Sequence, residues 1–416
     1  MTGTPASSSD SGRGFGARSA GRWLAPGLAI VGLLIVALVT ISLLNGDIPF
    51  VGTSKGGTGN GTGNGTGGDN TATPAPSNVV IVPPEVITFT GSIVYAKAGN
   101  IWVQTGRVAK QLTTGGDDSM PSWSPDGTSV YFIRTVDGIG HWPASGILRD
   151  YNMTIPNVMR VPADGSAAPV RIINGRVTKN GRTWHSWIRE PVVSPDGRTL
   201  AMVSDRPDPS QSDVVLQFYD LTTKKSKVPP LGETPPLGHQ DPTWRPDGKV
   251  LLYVRNGRDG PKGAPVIVRY DVAKGKGAPL TGPGYLEPSF SPDGRFIAVT
   301  KTSTFGNDLA ILDAGNGREL LRVTNDGASW APVWSPTGDS IAFLHLSGQI
   351  VDLKLVRLEG DAPNWTVKDI TDLTEVSGLD GESRPGWFVP ADQRPVATPT
   401  PVVSTAPSSG GSAAPQ

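Results

Sequence analysis

Cysteine is absent from the 416-residue chain, which excludes disulfides, thiolate nucleophiles and cysteine metal sites at once. Histidine is scarce. The four present, His141, His185, His239 and His345, include no pair at the His-x-x-x-His spacing of a helical metal site, so no metal and no cofactor is expected. A charge excess of either sign is missing too: 37 Lys+Arg balance 37 Asp+Glu, so no global field attracts nucleic acid and none is expected as a partner. Charged residues make up 18% of the chain, against about 25% in an average globular protein. Within residues 86 to 390 there is no Gly-x-Ser-x-Gly nucleophile elbow, and no phosphate-cradling Gly-x-x-x-x-Gly-Lys-Ser/Thr loop occurs. What replaces these features is turn chemistry: Gly 53 and Pro 39, a mix that suits many short strands joined by tight turns.

The ends of the chain read differently from its middle. Residues 1 to 22 carry Arg13, Arg18 and Arg22 against Asp10, without apolar periodicity, and are expected to form a disordered cytoplasmic tail. Trp23 to Leu44 is a run of 22 residues with no charged side chain, long enough to cross a hydrocarbon core of about 30 Å as one helix. The arginines beside its N-terminal end place that end in the cytoplasm, everything after Leu44 outside, and residues 23 to 44 in contact with the lipid bilayer of the cell membrane. A cleaved signal peptide is the competing reading, and it delivers the same extracytoplasmic domain. Residues 45 to 85 include KGGTGNGTGNGTGGDN and read as a flexible tether, while residues 391 to 416, rich in Pro, Thr, Ser and Ala, read as a disordered tail.

Between these ends one pattern recurs: PSWSPDG from Pro121 to Gly127, PVVSPDG from Pro191 to Gly197, PTWRPDG from Pro242 to Gly248, PSFSPDG from Pro288 to Gly294 and PVWSPTG from Pro332 to Gly338. A truncated copy, Pro385-Gly386-Trp387, follows. Periods of about 40–50 residues with β composition mark propeller blades. In each copy Pro presets the first corner of a turn, Asp hydrogen-bonds the second, and Gly127, Gly197, Gly248, Gly294 or Gly338 accepts the positive φ that returns the chain. The runs after each turn, such as Val130 to Ile133 and Val250 to Val254, are apolar on both faces and are expected to be the inner strands of the blades. Ile93 to Ala96 supplies the sixth. The aromatic at the third motif position (Trp123, Trp244, Phe290, Trp334, Trp387) is expected to wedge between adjacent blades, with a weaker seam where Val193 replaces it.

These repeats resemble the TolB-type propellers built from WD-like repeats with the P-x-W-S-P-D-G signature. The Leu-Thr or Val-Thr pairs at Leu112-Thr113, Leu280-Thr281, Val323-Thr324 and Leu373-Thr374 are further marks of that family. The resemblance covers residues 86 to 390 and implies an all-β, six-bladed β-propeller of four-stranded blades, here preceded by one transmembrane helix. It does not transfer the family's role, because a membrane run and a glycine-rich tether stand where TolB has an additional α/β domain.

Blade two carries the irregularity that bears on function. Its 70-residue period contains two insertions, residues 136 to 156 with His141, Trp142, Arg149 and Tyr151, and residues 174 to 190 with Arg182, Trp184, His185, Trp187 and Arg189. Meander topology puts both at one end of the propeller. Trp, Tyr and Arg dominate interface energetics, so these residues are the expected binding surface of a non-enzymatic scaffold for an envelope protein, peptide or glycan. The bland alternative is that the aromatics only tuck the insertions against the blade. An enzyme with a channel-centred site, a hydrolase or a lyase, requires His, Asp or Glu from at least three blades to converge. A sensor ectodomain working through a membrane partner is a third possibility. Asp205, Asp208 and Asp213 read as a solvated loop rather than a calcium site.

Overall fold

Each motif turn closes a hairpin, and the two strands it joins explain the ring. The computed structural model describes the backbone of Val79–Ile81 and residues 89–394, apart from 207–208, 210–212, 232–237, 257–263 and 376. All of these lie in one unit, Thr73–Gln416. The expected tail at 1 to 22, membrane helix at 23 to 44, most of the tether and the tail beyond residue 394 lie outside the described residues. Among the described residues no helix is long and apolar enough to cross a membrane.

Six antiparallel sheets succeed one another, all-β, as the blades of a propeller. Blades three to six are plain four-stranded meanders; blade four, for example, runs His239–Trp244, Val250–Arg255, Val266–Asp271 and Lys276–Pro279 in spatial order. The strand that carries the motif, here His239–Trp244, is the innermost, since the motif strands of successive blades touch one another around the axis. This corrects the expected order: the doubly apolar runs after the turns are second strands. They are apolar on both faces because each face packs on a neighbouring blade, and Leu251, Leu252, Tyr253 and Val254 are fully buried. The innermost strands line a channel instead, which is why they tolerate proline and polar residues.

Blade one closes the ring. Its strands Ser92–Lys97, Asn100–Thr105 and Val108–Gln111 come from the N-terminal side, and Gly386–Phe388 adds the innermost strand from the C-terminal side, with Ile93 opposite Trp387. The truncated sixth motif copy is therefore the closing strand, and Val79–Ile81 adds a fifth strand at the outer edge of the same sheet. Ordered structure continues past Pro390 into a short 3-10 turn, Ala391–Gln393.

The core lies in the seams. Trp244 of blade four stacks on Phe218 of blade three at 5.6 Å and donates its indole N–H to the Val192 carbonyl at 3.3 Å. Trp334 packs among Phe296, Leu309 and Ile311 of blade five, Phe290 packs against Val250 and Leu252 of blade four, and Trp387 packs against Ala342 and Leu355 of blade six. Trp123 donates to the Gly386 carbonyl at 3.1 Å across the closure. At the seam between blades two and three, half-buried Val193 joins Tyr131, Tyr219 and Met202. In the motif turn Ser124 donates to Asp126 at 2.6 Å, repeated by Ser194 to Asp196 and Ser291 to Asp293 at the same distance. The Thr of each Leu-Thr or Val-Thr pair lies two residues past the fourth strand of its blade counted from the axis, and its hydroxyl accepts the N–H of Ile101, Ile267, Leu309 or Leu353 at 2.8–3.1 Å.

Candidate functional site: the axial channel and the insertion-bearing end

The residue immediately before each motif proline is a β-bulge residue. Met120, Glu190, Asp241, Glu287 and Ala331 all have φ between 51° and 54° or 56°, and the strand register shifts across each of them. A bulge turns its residue out of the pleat, and on an innermost strand that direction is toward the axis. The sixth equivalent, Arg384 before Pro385, lines the same channel. A cavity of about 420 Å³ opens between these strands.

Three successive blades thus contribute Glu190, Asp241 and Glu287 to one arc. The carboxylates are linked circumferentially: Glu190 accepts the Asp241 backbone N–H at 2.5 Å, Asp241 accepts that of Glu287 at 3.0 Å, and Glu287 accepts that of Ala331 at 2.8 Å. Ser383 continues the pattern by accepting the Met120 N–H at 2.9 Å. Burial first, and then the charge of Asp241, push Glu190 and Glu287 each up to about 7, and burial raises Asp241 as well. Arg384 opposes these shifts electrostatically and donates to the carbonyls of Pro288 at 3.1 Å and Pro242 at 3.3 Å. Sequence reading missed this arc. The signal was available as a column: the position preceding the motif proline reads Met, Glu, Asp, Glu, Ala, Arg.

The insertions meet at the end of the propeller opposite the motif turns. Strands Ser129–Ala144 and Ile147–Pro162 form one long hairpin that rises above blade two. The second insertion folds as the hairpin Arg176–Lys179 and Arg182–His185, and it joins the first through Thr183 opposite His141. Trp142 meets Trp184 edge to face at 5.8 Å and carries the Arg182 guanidinium over its ring at 4.8 Å. Tyr151 donates to the Thr183 carbonyl at 2.9 Å, and His141 pairs with Asp150 at 2.7 Å. Arg149 lies opposite Trp142 in the hairpin. His185 contacts Trp187 at 6.2 Å, and burial lowers its pKa. Trp187 is 52% exposed, and Arg189, two residues on, lines the channel mouth near Glu190 and Glu382.

The structure therefore unites His141, Trp142, Tyr151, Arg182 and Trp184 in one cluster and sets His185 and Trp187 between it and the channel. It does not unite the histidines: His239 is buried against Tyr253 in blade four, and His345 faces Ser329 in blade six. Asp205 is buried and pushed up to about 6 by that burial, and Asp208 lies outside the described residues. Among the described residues no group of three or more His, Cys, Asp or Glu is arranged to hold a metal ion.

This architecture is that of a TolB-like six-bladed β-propeller. The solved structure of TolB from Acinetobacter baumannii superposes with a TM-score of 0.50 over 73% of this chain and 68% of that one, at 18% identity. A putative TolB from Agrobacterium tumefaciens does so with a TM-score of 0.50 over 74% and 96%, again at 18% identity. At that identity the likeness is one of fold. In sequence, the chain is 23% identical over 292 residues to the Tol-Pal system protein TolB of Francisella tularensis, covering 66% of this chain and 59% of that protein. It is also 25% identical over 143 residues to an uncharacterised protein of Agrobacterium fabrum and 28% identical over 153 residues to an uncharacterised peptidase of Bacillus subtilis, spanning 45% and 22% of their lengths. The chain thus matches less than two thirds of the length of each of these curated relatives. No family model matches it.

Proposed function

We propose that the protein is a membrane-anchored, extracytoplasmic binding scaffold whose insertion-bearing end docks a protein of the cell envelope without catalysing a reaction. The observation that carries this reading is where exposed apolar surface concentrates. Ile139, Trp142, Ile147, Leu148, Tyr151 and Trp187, each 36–62% exposed, all belong to the two insertions. Clustered exposed apolar side chains rimmed by polar ones mark interaction surfaces, and the aromatic-plus-arginine composition is that of binding hot spots. The 22-residue apolar run and its flanking arginines support the anchor and the orientation. Similarity to a Tol-Pal system protein supports a role in an envelope assembly.

The three converging carboxylates are the observation that would favour a channel-centred enzyme. Their arrangement supports a structural role better, since Glu190, Asp241 and Glu287 each spend an oxygen on the backbone of the next blade and share Arg384 as counter-charge. The test uses the full chain in its own membrane. Replacing residues 137–155 by a two-residue turn should abolish co-purification of the partner while leaving the thermal unfolding transition in place, and external protease should reach the propeller in intact spheroplasts. Unchanged co-purification would remove the proposed surface; protection from external protease would remove the topology.

A further inference from the structure

The opposite end of the channel, where the motif turns lie, holds a second feature that neither insertion nor carboxylate explains. A groove of about 600 Å³ is walled by Trp244, Phe290, Trp334, Trp365 and Pro292 and ends at Arg394. Trp365 packs edge to face on Phe296 at 4.7 Å and lies 5.7 Å from Trp334, so the aromatic wall is continuous. Trp334 is 3% exposed and its indole N–H has no hydrogen-bond partner, an uncommon state for a buried donor. Aromatic walls suit a polyproline II segment, which presents its proline ring faces to them.

The chain supplies such a segment at that place. Arg394 is fixed at the groove by donating to the Val389 carbonyl at 2.7 Å and by lying over the Phe388 ring at 5.6 Å. Its backbone leaves with φ −83° and ψ 145°, the polyproline II region, as a residue preceding proline prefers. Next in sequence is Pro395-Val396-Ala397-Thr398-Pro399-Thr400-Pro401, uncharged and with three prolines. At about 3.1 Å per residue this segment reaches roughly 20 Å from its fixed point, enough to run along the groove. We propose that residues 395 to 401 dock intramolecularly in this aromatic groove as a polyproline II strand. This inference is independent of the binding surface proposed at the other end.

Because the chain has no cysteine, single cysteines can be placed for labelling. Full-length protein carrying Thr398→Cys with a nitroxide should show an immobilised spectrum, while Ser409→Cys should show a mobile one. Replacing Pro395, Pro399 and Pro401 together by Gly, which leaves the propeller untouched, should mobilise the label at 398. The same tail variant should then bind a synthetic peptide of residues 395–403 in solution more than about tenfold more tightly than the unmodified chain, whose groove already holds an intramolecular competitor at millimolar effective concentration. Trp365→Ala should mobilise the label in the otherwise unmodified chain. A label at 398 as mobile as that at 409, or a peptide that binds neither chain, overturns the proposal. Immobilisation lost on dilution would assign the groove to the tail of a second copy and overturn the intramolecular form.

Discussion

The Asp241 carboxylate accepts the backbone N–H of Glu287 at 3.0 Å across the seam between blades four and five. That bond is one link of a hoop around the axis, in which the side chain of one bulge residue satisfies the backbone of the next. The hoop joins blades at the channel lining, as the aromatic wedges do nearer the motif turns, and three of its members are acids largely withdrawn from solvent. Its consequences are measurable.

Stability should fall as pH rises through the neutral range. Glu190 and Glu287 titrate near 7 in the fold, whereas an unfolded glutamate titrates near 4.3, so between these values the folded state binds more protons than the unfolded one. Their contribution is favourable on the acidic side of that window and lost on the alkaline side. The turn aspartates Asp126, Asp196 and Asp247 act in the opposite sense: hydrogen bonds, first from Ser124, Ser194 and Arg245, lower their pKa, so stability they provide is lost only in acid. Glu190→Gln keeps an acceptor for the Asp241 N–H but removes the charge. Urea titrations at pH 5 and pH 8 should show it neutral at the lower pH and stabilising by about 1–3 kcal/mol at the higher.

Arg384→Met should destabilise strongly, and more so in alkali. The guanidinium is the cation that offsets all three carboxylates, and its loss leaves buried charges uncompensated, at a cost of about 3–5 kcal/mol. At pH 5, where Glu190 and Glu287 hold their protons, the loss should shrink. Adding Glu287→Gln to Arg384→Met should recover part of it at pH 8, measured in the same titrations. Equal losses at the two pH values would remove Arg384 from the electrostatic role.

Two glycines of the same motif should differ. Both occupy the left-handed region, Gly127 at φ 70° and Gly197 at φ 74°. A Cβ on Gly197 meets nothing within 4 Å, so Gly197→Ala should cost only the backbone strain, about 1–2 kcal/mol. A Cβ on Gly127 falls 2.2 Å from the Phe388 ring of the closing strand, so Gly127→Ala must displace the ring closure and should lower Tm further. Thermal melts of the two single variants decide it.

The number of blades was legible because the Pro-Asp-Gly turn is a local device: Pro, Asp and Gly each act through their own backbone, whatever surrounds them. Which strand lies innermost was not legible. Val250 to Val254 is apolar on both faces in either position, and it is the contact between motif strands of successive blades around the axis that shows which strand is innermost. The shared end of the two insertions followed from meander topology, whereas the meeting of Thr183 with His141 depends on tertiary pairing. The carboxylate arc is a contact between residues about 50 positions apart, and it becomes visible only when the residue before each motif proline is read as a column rather than along the chain.

The account stands most directly on what touches the long hairpin of blade two. A photo-activatable residue at Leu148, 54% exposed, is compared in native membranes with one at Val170, 48% exposed toward the other end of the same blade. The scaffold reading predicts that position 148 forms a covalent adduct with one envelope protein and that position 170 does not. Adducts at neither position, or the same adducts at both, would contradict it.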